Sequence, residues 1–167
     1  MQASVVQCRA LLRVADRALA GLGDEHRAVQ PAEGSKTAGW LVGHLAVTGD
    51  FARRLCGRPP LCPAEWRVAF NPGTTPSLNA ADYPSMSDLS ASMRAVYADL
   101  CEAALNTHAD VLAAENPYAP TRTDFPTSGA FVNFIAAGHL GYHLGQLVAW
   151  RAAAGLGPLP GASDRTT

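Results

Sequence analysis

The sequence has 167 residues, of which 48% are apolar and 16% charged, and its formal net charge is −1. This length fits one domain with a sizeable core, and the apolar content excludes a disordered chain. The near-neutral charge gives no electrostatic case for nucleic-acid binding, and no apolar run reaches the ~20 residues of a membrane span. The charged fraction is below the roughly 25% usual for soluble domains, which is compatible with a homodimer that covers part of the surface.

Apolar residues recur at helical spacing in four segments, which are separated by breaks rich in proline and glycine. The four predicted helices span residues 2–22, 37–56, 86–114 and 128–154. Side chains that can cap a helix precede the last three, namely Ser35 or Thr37, Ser85, and Thr127 or Ser128. No alternating β pattern appears. We therefore predict an all-α fold, a four-helix bundle, with residues 1–157 as a single domain and 158–167 as a tail.

The first predicted helix carries charges throughout and lacks the uninterrupted apolar stretch and cleavage site of a signal peptide. A cytoplasmic location is the resulting expectation. None of the four cysteines forms a CxxC motif. Cys8 and Cys101 lie in apolar helical stretches and are predicted to be buried free thiols. Cys56 and Cys62 flank a turn, so a disulfide between them stays open.

The second and third predicted helices are joined by about thirty residues that hold six of the twelve prolines. A loop of this length is more typical of a functional cover than of a simple hairpin. Trp66, Phe70 and Tyr83 give it apolar side chains with which to pack on the helices. The loop is also long enough for a crossover, which would let the second and third helices run parallel.

The fourth predicted helix carries the most informative pattern of the chain, GHLGYHLGQL. His139 and His143 are four residues apart, so an α-helix places their imidazoles on one face, one turn apart. Both lie on the apolar stripe, where an unpaired imidazole would be costly. His44 lies on the apolar stripe of the second predicted helix. We predict that these three imidazoles share one divalent metal ion.

Three protein ligands leave a coordination position open, as in reactive metal sites. Imidazole nitrogens suit transition metals, and Zn, Ni or Fe is the expected cofactor. Such a metal can lower the pKa of bound water toward about 7 or hold a substrate thiol as thiolate, and the ligands alone do not choose between these reactions. Gln146 lies on the ligand face and is predicted to orient a ligand, with a helix-packing amide as the open alternative. Asp50 is interpreted as a solvated carboxylate, so no catalytic residue is assigned.

Four glycines flank the histidines inside predicted helices, and each costs roughly 1 kcal/mol against alanine. They are Gly43, Gly138, Gly141 and Gly145. We expect them to permit close approach between helices. His26 and His108 lie outside the apolar stripes and are not predicted as ligands.

Three stretches, WLVGHLA, FNPGTTP and HLGYHLGQLVAWRAAAGL, together resemble the DinB-like (YfiT-like) superfamily over about residues 1–157. The resemblance implies a four-helix bundle with a long crossover between helices two and three. It also implies a divalent metal held by His44, His139 and His143. Members often dimerise, so a homodimer is a further expectation.

The same resemblance implies a small-molecule substrate and leaves the reaction open. Some members are S-transferases or isomerases that use low-molecular-weight thiols such as bacillithiol or mycothiol, and many are described as metal-dependent hydrolases that would use a metal-bound hydroxide. The mycothiol-dependent isomerase branch has Glu where this chain has His139, so isomerase activity does not carry over directly. A thiol cofactor would need groups that bind its carboxylates or sugar, for which the candidates are Arg53, Arg54, Arg67 and Arg122. A non-catalytic, stress-related metal-binding protein is the alternative to an enzyme.

Overall fold

The chain is all-α in the computed structural model, which describes residues 1–161. Its helices are α1 (Gln2–Leu19), α2 (Ala38–Leu55), α3 (Trp66–Phe70), α4 (Met86–Asn106), α5 (Ala109–Ala113), α6 (Ser128–Asn133) and α7 (Leu140–Ala153). A π-helical segment, Phe134–His139, joins α6 to α7 without a break. The three form one long fourth helix, which packs with α1, α2 and α4 into a helical bundle. The predicted fold class is confirmed.

The helix starts follow from side chains that accept the first free backbone N–H groups. Thr37 Oγ1 accepts from Trp40 N–H at the start of α2 (3.2 Å), and Ser85 and Thr127 do the same for α4 and α6. Gly57 and Gly155 adopt φ of 79° and 77° just beyond α2 and α7, where a left-handed residue ends the helix. The predicted caps at Thr37, Ser85 and Thr127 are confirmed.

Helix α2 runs through the middle of the bundle and is buried on almost every side. It contacts α3, α4, α6 and α7. Few charged residues interrupt its sequence, AGWLVGHLAVTGDFARRL, so burial around its whole circumference leaves few polar groups to satisfy. A side chain in its centre, such as His44, therefore lies inside the protein.

Two predicted helix ends were wrong. The first predicted helix ends at Leu19 and not at residue 22. The third predicted helix ends at Asn106 and not at residue 114, because Thr107 and His108 leave the helical conformation. The His108 ring instead caps α5 by accepting from Asp110 N–H at 3.4 Å. The fourth predicted helix is continuous as expected, but six of its residues, Phe134–His139, are π-helical and not α-helical.

Residues 56–85 form a cover that is packed on α2. Trp66, Phe70 and Tyr83 are all buried in the core, so the prediction of an ordered cover is confirmed. Side chains of α2 hold it in place: Trp40 Nε1 donates to Thr74 Oγ1 at 2.9 Å. The parallel course of the two helices that this cover connects stays a prediction.

Within residues 1–161, no helix combines the length and apolar character needed to cross a membrane. All four cysteines are free thiols, and Cys8 and Cys101 are buried as predicted. The predicted tail falls mostly on residues 162–167, which lie outside the described part of the chain. The domain boundary at residue 157, the cytoplasmic location and the homodimer stay predictions.

Candidate metal centre

The imidazoles of His44, His139 and His143 meet in the interior of the bundle. One nitrogen from each ring lies within 4.8 Å of the other two. The Nε2 atoms of His44 and His139 are 3.2 Å apart, and the His143 ring centroid lies 4.6 Å from that of His44 and 4.5 Å from that of His139. The predicted convergence of these three side chains from two distant stretches of chain is confirmed. Their role as metal ligands remains a proposal.

His44 is held in one tautomer by the cover. Its Nδ1 lies 2.7 Å from the carbonyl oxygen of Phe70, which can only accept, so Nδ1 carries the proton and Nε2 presents a lone pair to the cluster. Trp40 stacks on the ring at a centroid distance of 4.6 Å and an interplanar angle of 8°. The residue therefore has the orientation and the bare nitrogen that metal ligation requires.

His143 is held in the same tautomer by its own helix. Its Nδ1–H donates to Gln146 Oε1 at 2.8 Å, which leaves the His143 Nε2 lone pair free. This is the contact expected for a residue that orients a ligand, although the role itself stays a proposal. Tyr142, one residue earlier, is 64% exposed, and its ring packs edge to face on that of His143 at a centroid distance of 5.0 Å.

His139 differs from the other two in having no hydrogen bond at Nδ1, a buried atom without a partner among the described residues. The 3.2 Å contact with the bare Nε2 of His44 favours a proton on His139 Nε2 when no metal is bound, and no bond at Nδ1 prevents that proton from moving there on ligation. Two rings with protonated Nδ1 and a third whose Nδ1 is free to take up a proton can provide three convergent nitrogen donors. The set fits a divalent transition metal and contains no oxygen donor that would favour Mg²⁺ or Ca²⁺.

Burial keeps the three imidazoles neutral at neutral pH. It lowers the pKa of His44 to about 4, with the bond to Phe70 opposing this and the nearby His143 and Lys36 adding to it. Burial likewise lowers the pKa of His139 to about 3, and repulsion by the other two imidazoles contributes. The pKa of His143 is lowered as well, again chiefly by burial. Neutral imidazole is the form that binds a metal.

The three histidines line a cavity of about 800 Å³. Aromatic side chains, including Trp40, Phe51 and Phe131, form much of its wall, and the exposed Arg54 and Arg67 also line it, so the cavity reaches solvent. This volume lies in the range of small-molecule binding sites. A substrate could therefore reach the cluster without unfolding the cover.

The interpretation of Asp50 as a solvated carboxylate was wrong. Asp50 is 6% exposed, and its Oδ1 accepts from Arg53 Nη1 at 2.6 Å and from Leu61 N–H at 2.9 Å, while Oδ2 accepts from Cys62 N–H at 3.4 Å. The side chain lines the same cavity as the histidines, and its carboxylate is bonded to the cover instead of solvent. Asp50 therefore anchors the cover and is not free to act as a base.

Of the four arginines proposed to bind a thiol cofactor, two line the cavity and two do not. Arg54 and Arg67 line the cavity, whereas Arg53 is buried between Asp50 and Asp99 and Arg122 pairs with Glu115 at 3.1 Å. The expectation for Arg53 and Arg122 is not supported by this placement. Sequence reasoning missed a further cation of the lining, Lys36. Its position just before the α2 cap was an available signal, since that cap leads directly into the helix of His44.

The prediction of close approach at the four glycines was correct at one position and wrong at another. A Cβ atom on Gly43 would lie 2.6 Å from the Phe70 ring, which no real contact allows. A Cβ atom on Gly145 would meet nothing within 4 Å. The missing side chain at Gly43 therefore makes room for Phe70, the cover residue whose carbonyl orients His44. Gly145 has no such role.

Comparison with known proteins adds one finding. A family model described as the DinB superfamily matches residues 7–147, which include all three histidines and Gln146. No curated protein and no solved structure matches the chain significantly.

Proposed function

The chain belongs to the DinB superfamily, and we propose that it is a metal-dependent enzyme whose Zn, Ni or Fe ion is held by His44, His139 and His143. One observation carries the proposal: three neutral imidazoles converge in the wall of a solvent-reachable cavity of about 800 Å³. A purely structural metal would have no use for such a cavity, whereas a small-molecule substrate needs one.

When bound, the metal supplies Lewis acidity, which lowers the pKa of a thiol or a water molecule. We propose thiol-dependent S-transfer as the reaction. The sulfur of a low-molecular-weight thiol forms a bond to an electrophilic carbon, the bond from that carbon to its leaving group breaks, and the thiol proton departs with the leaving group.

The lining of the cavity favours a thiol over water as the nucleophile. Asp50 is its only carboxylate among the described residues, and the bonds to Arg53 and the cover occupy it. Water, with an ordinary pKa near 15.7, is helped by a general base, whereas a thiol near 8.5 needs a much smaller shift. A site without a free base therefore suits thiol chemistry better.

The thiol is proposed to come from a separate molecule and not from the chain. Cys62 also lines the cavity, but burial, together with the Asp50 carboxylate, raises its pKa to about 12. The Cys62 side chain therefore stays protonated and unreactive at neutral pH.

Trp40, stacked on His44, shields that ring from water and fixes its plane.

A direct test supplies the metal-loaded protein with 1-chloro-2,4-dinitrobenzene and several low-molecular-weight thiols. We expect thiol-dependent turnover that EDTA and His139→Ala both abolish and that His108→Ala retains. Turnover of p-nitrophenyl acetate without any thiol would instead indicate a hydrolase. Tight metal uptake with no turnover of either probe would indicate the non-catalytic alternative.

A further inference from the structure

The cavity that contains the three histidines has an excess of positive charge. We infer that its ligand is an organic anion with an apolar body, whose anionic group is received by Lys36, Arg54 and Arg67. The inference rests on the proposed function, because the ligand would be the substrate or the thiol cofactor of that same site.

The charges around the cavity do not balance. Lys36, Arg54 and Arg67 line it, and the one carboxylate of its lining, Asp50, is already paired with Arg53 at 2.6 Å. Within residues 1–161, none of those three cations lies within 4.0 Å of a carboxylate. The whole chain has 13 basic and 14 acidic residues, so this local excess is not a property of its composition. A cleft lined by charges of one sign attracts a ligand of the opposite sign.

Lys36 is the cation best placed to position an anion next to the histidines. Its Nζ lies 4.0 Å from the centroid of the Trp40 ring, and that ring stacks on His44. Nζ donates one hydrogen bond, to Thr74 O at 3.0 Å. An ammonium group has three N–H donors, so two are available to a ligand one indole ring away from the cluster.

A metal ion on the three histidines would increase the positive charge of the cavity further. Three neutral imidazoles contribute no negative charge, so a divalent cation on them would keep its full charge. Much of the remaining wall is apolar and aromatic: Phe51 and Phe131 pack edge to face at 6.1 Å, and Ile135 and Phe134 also line the cavity. A ligand that matches both features has an apolar body and at least one anionic group.

The test compares two probes that differ only in charge, 4-phenylbutyrate and 4-phenylbutyramide, by calorimetric titration of zinc-loaded and EDTA-treated protein. We expect the carboxylate to bind about tenfold more tightly than the amide in both forms, as for a charge-assisted hydrogen bond. The triple variant Lys36→Met, Arg54→Gln, Arg67→Gln should lower this ratio to within about twofold. The control Arg13→Gln, an exposed arginine outside the cavity lining, should keep it.

Each single substitution is measured as well, with a thermal melt to show that it folds, and Lys36→Arg should preserve the ratio. Equal affinity of the wild type for the two probes, or an undiminished ratio in the triple variant, would overturn the inference. Zinc uptake, measured separately, distinguishes the two proposals. Charge-selective binding without zinc uptake refutes the metal enzyme alone, and zinc uptake without charge selectivity refutes the organic anion alone.

Discussion

Two hydrogen bonds decide which nitrogen the buried imidazoles present. The Phe70 carbonyl takes the Nδ1 proton of His44, and Gln146 takes that of His143, so each Nε2 faces the cluster with its lone pair. One partner comes from the cover and the other from the same helix as its histidine. The site is therefore sensitive both to the packing of the cover and to the identity of residue 146.

Gly43→Ala should destabilise the protein and weaken metal binding together. The added Cβ would lie 2.6 Å from the Phe70 ring, so the ring and the carbonyl that orients His44 must move. Overpacking of this kind typically costs about 1–3 kcal/mol of unfolding free energy. Urea denaturation and zinc titration of the variant measure the two effects.

Gly145→Ala is the matched control, because it makes the same change inside a helix, two residues after His143, with open space around the added Cβ. It should raise stability by up to about 1 kcal/mol and leave zinc affinity unchanged. If the two glycine variants behave alike, the cover does not position His44 in the way described.

Several residues of the site could be predicted from the sequence, and others could not. His139 and His143 were predictable because a spacing of four residues and an apolar stripe fix their common face, and His44 because it lies in the middle of an apolar helical stretch. The environment of Asp50 was not predictable, because it depends on the path of the cover, whereas the position of Lys36 before the α2 cap was a signal that was not used. No periodicity in a proline-rich loop specifies which direction it takes across a helix.

The start of the cover is attached to α2 by the buried ion pair of Asp50 and Arg53, which also bonds to the backbone of the cover. Asp50 accepts backbone N–H groups from Leu61 and Cys62, and Arg53 donates to the Pro59 carbonyl at 3.2 Å. Both side chains are almost fully buried. The start of the cover therefore depends on α2, the same helix that carries His44.

Asp50→Asn should cost about 3 kcal/mol of unfolding free energy, because it leaves the buried Arg53 guanidinium with less compensation. Hydrogen exchange at the Leu61 and Cys62 amides should accelerate. The control Asp16→Asn removes an exposed ion pair with Arg94, whose side chains are 57% and 46% exposed, and should cost less than about 1 kcal/mol. Similar small losses in both variants would contradict the anchoring role.

The π-helical segment is the element that sequence reasoning missed. A π-helix inserts extra residues into a turn without changing the apolar character of the stretch, so FIAAGH looks the same in either conformation. His139 is the last residue of the π-helical segment, so the four residues from it to His143 follow ordinary α-helical geometry and the two rings stay on one face. Short π-helical segments are frequent at functional sites, which agrees with the placement of this one.

At the scale of the whole molecule, the buried histidines make the metal-free protein sensitive to acid. The pKa of His44 falls from 6.5 to about 4 on folding, so between these values the unfolded chain binds a proton that the folded chain does not. Stability should therefore be full above pH 6.5 and decline as the pH falls toward 4, on the order of 3 kcal/mol for this residue alone.

Urea denaturation of EDTA-treated protein at pH 7, 6 and 5 measures this dependence. The double variant His44→Ala, His139→Ala should show a much flatter profile over the same range, because both lowered pKa values are removed. A wild-type midpoint that is constant or rises between pH 7 and pH 5 would show that the imidazoles are not buried as neutral groups.

Residues from α2 and from the fourth helix are proposed to hold one metal ion between them. Elemental analysis of zinc-loaded, desalted protein tests this proposal most directly. We expect about one ion per chain in the wild type and in His108→Ala, whose side chain is 78% exposed, and nearly complete loss in His44→Ala, His139→Ala and His143→Ala. Wild-type zinc content in His44→Ala would contradict the account.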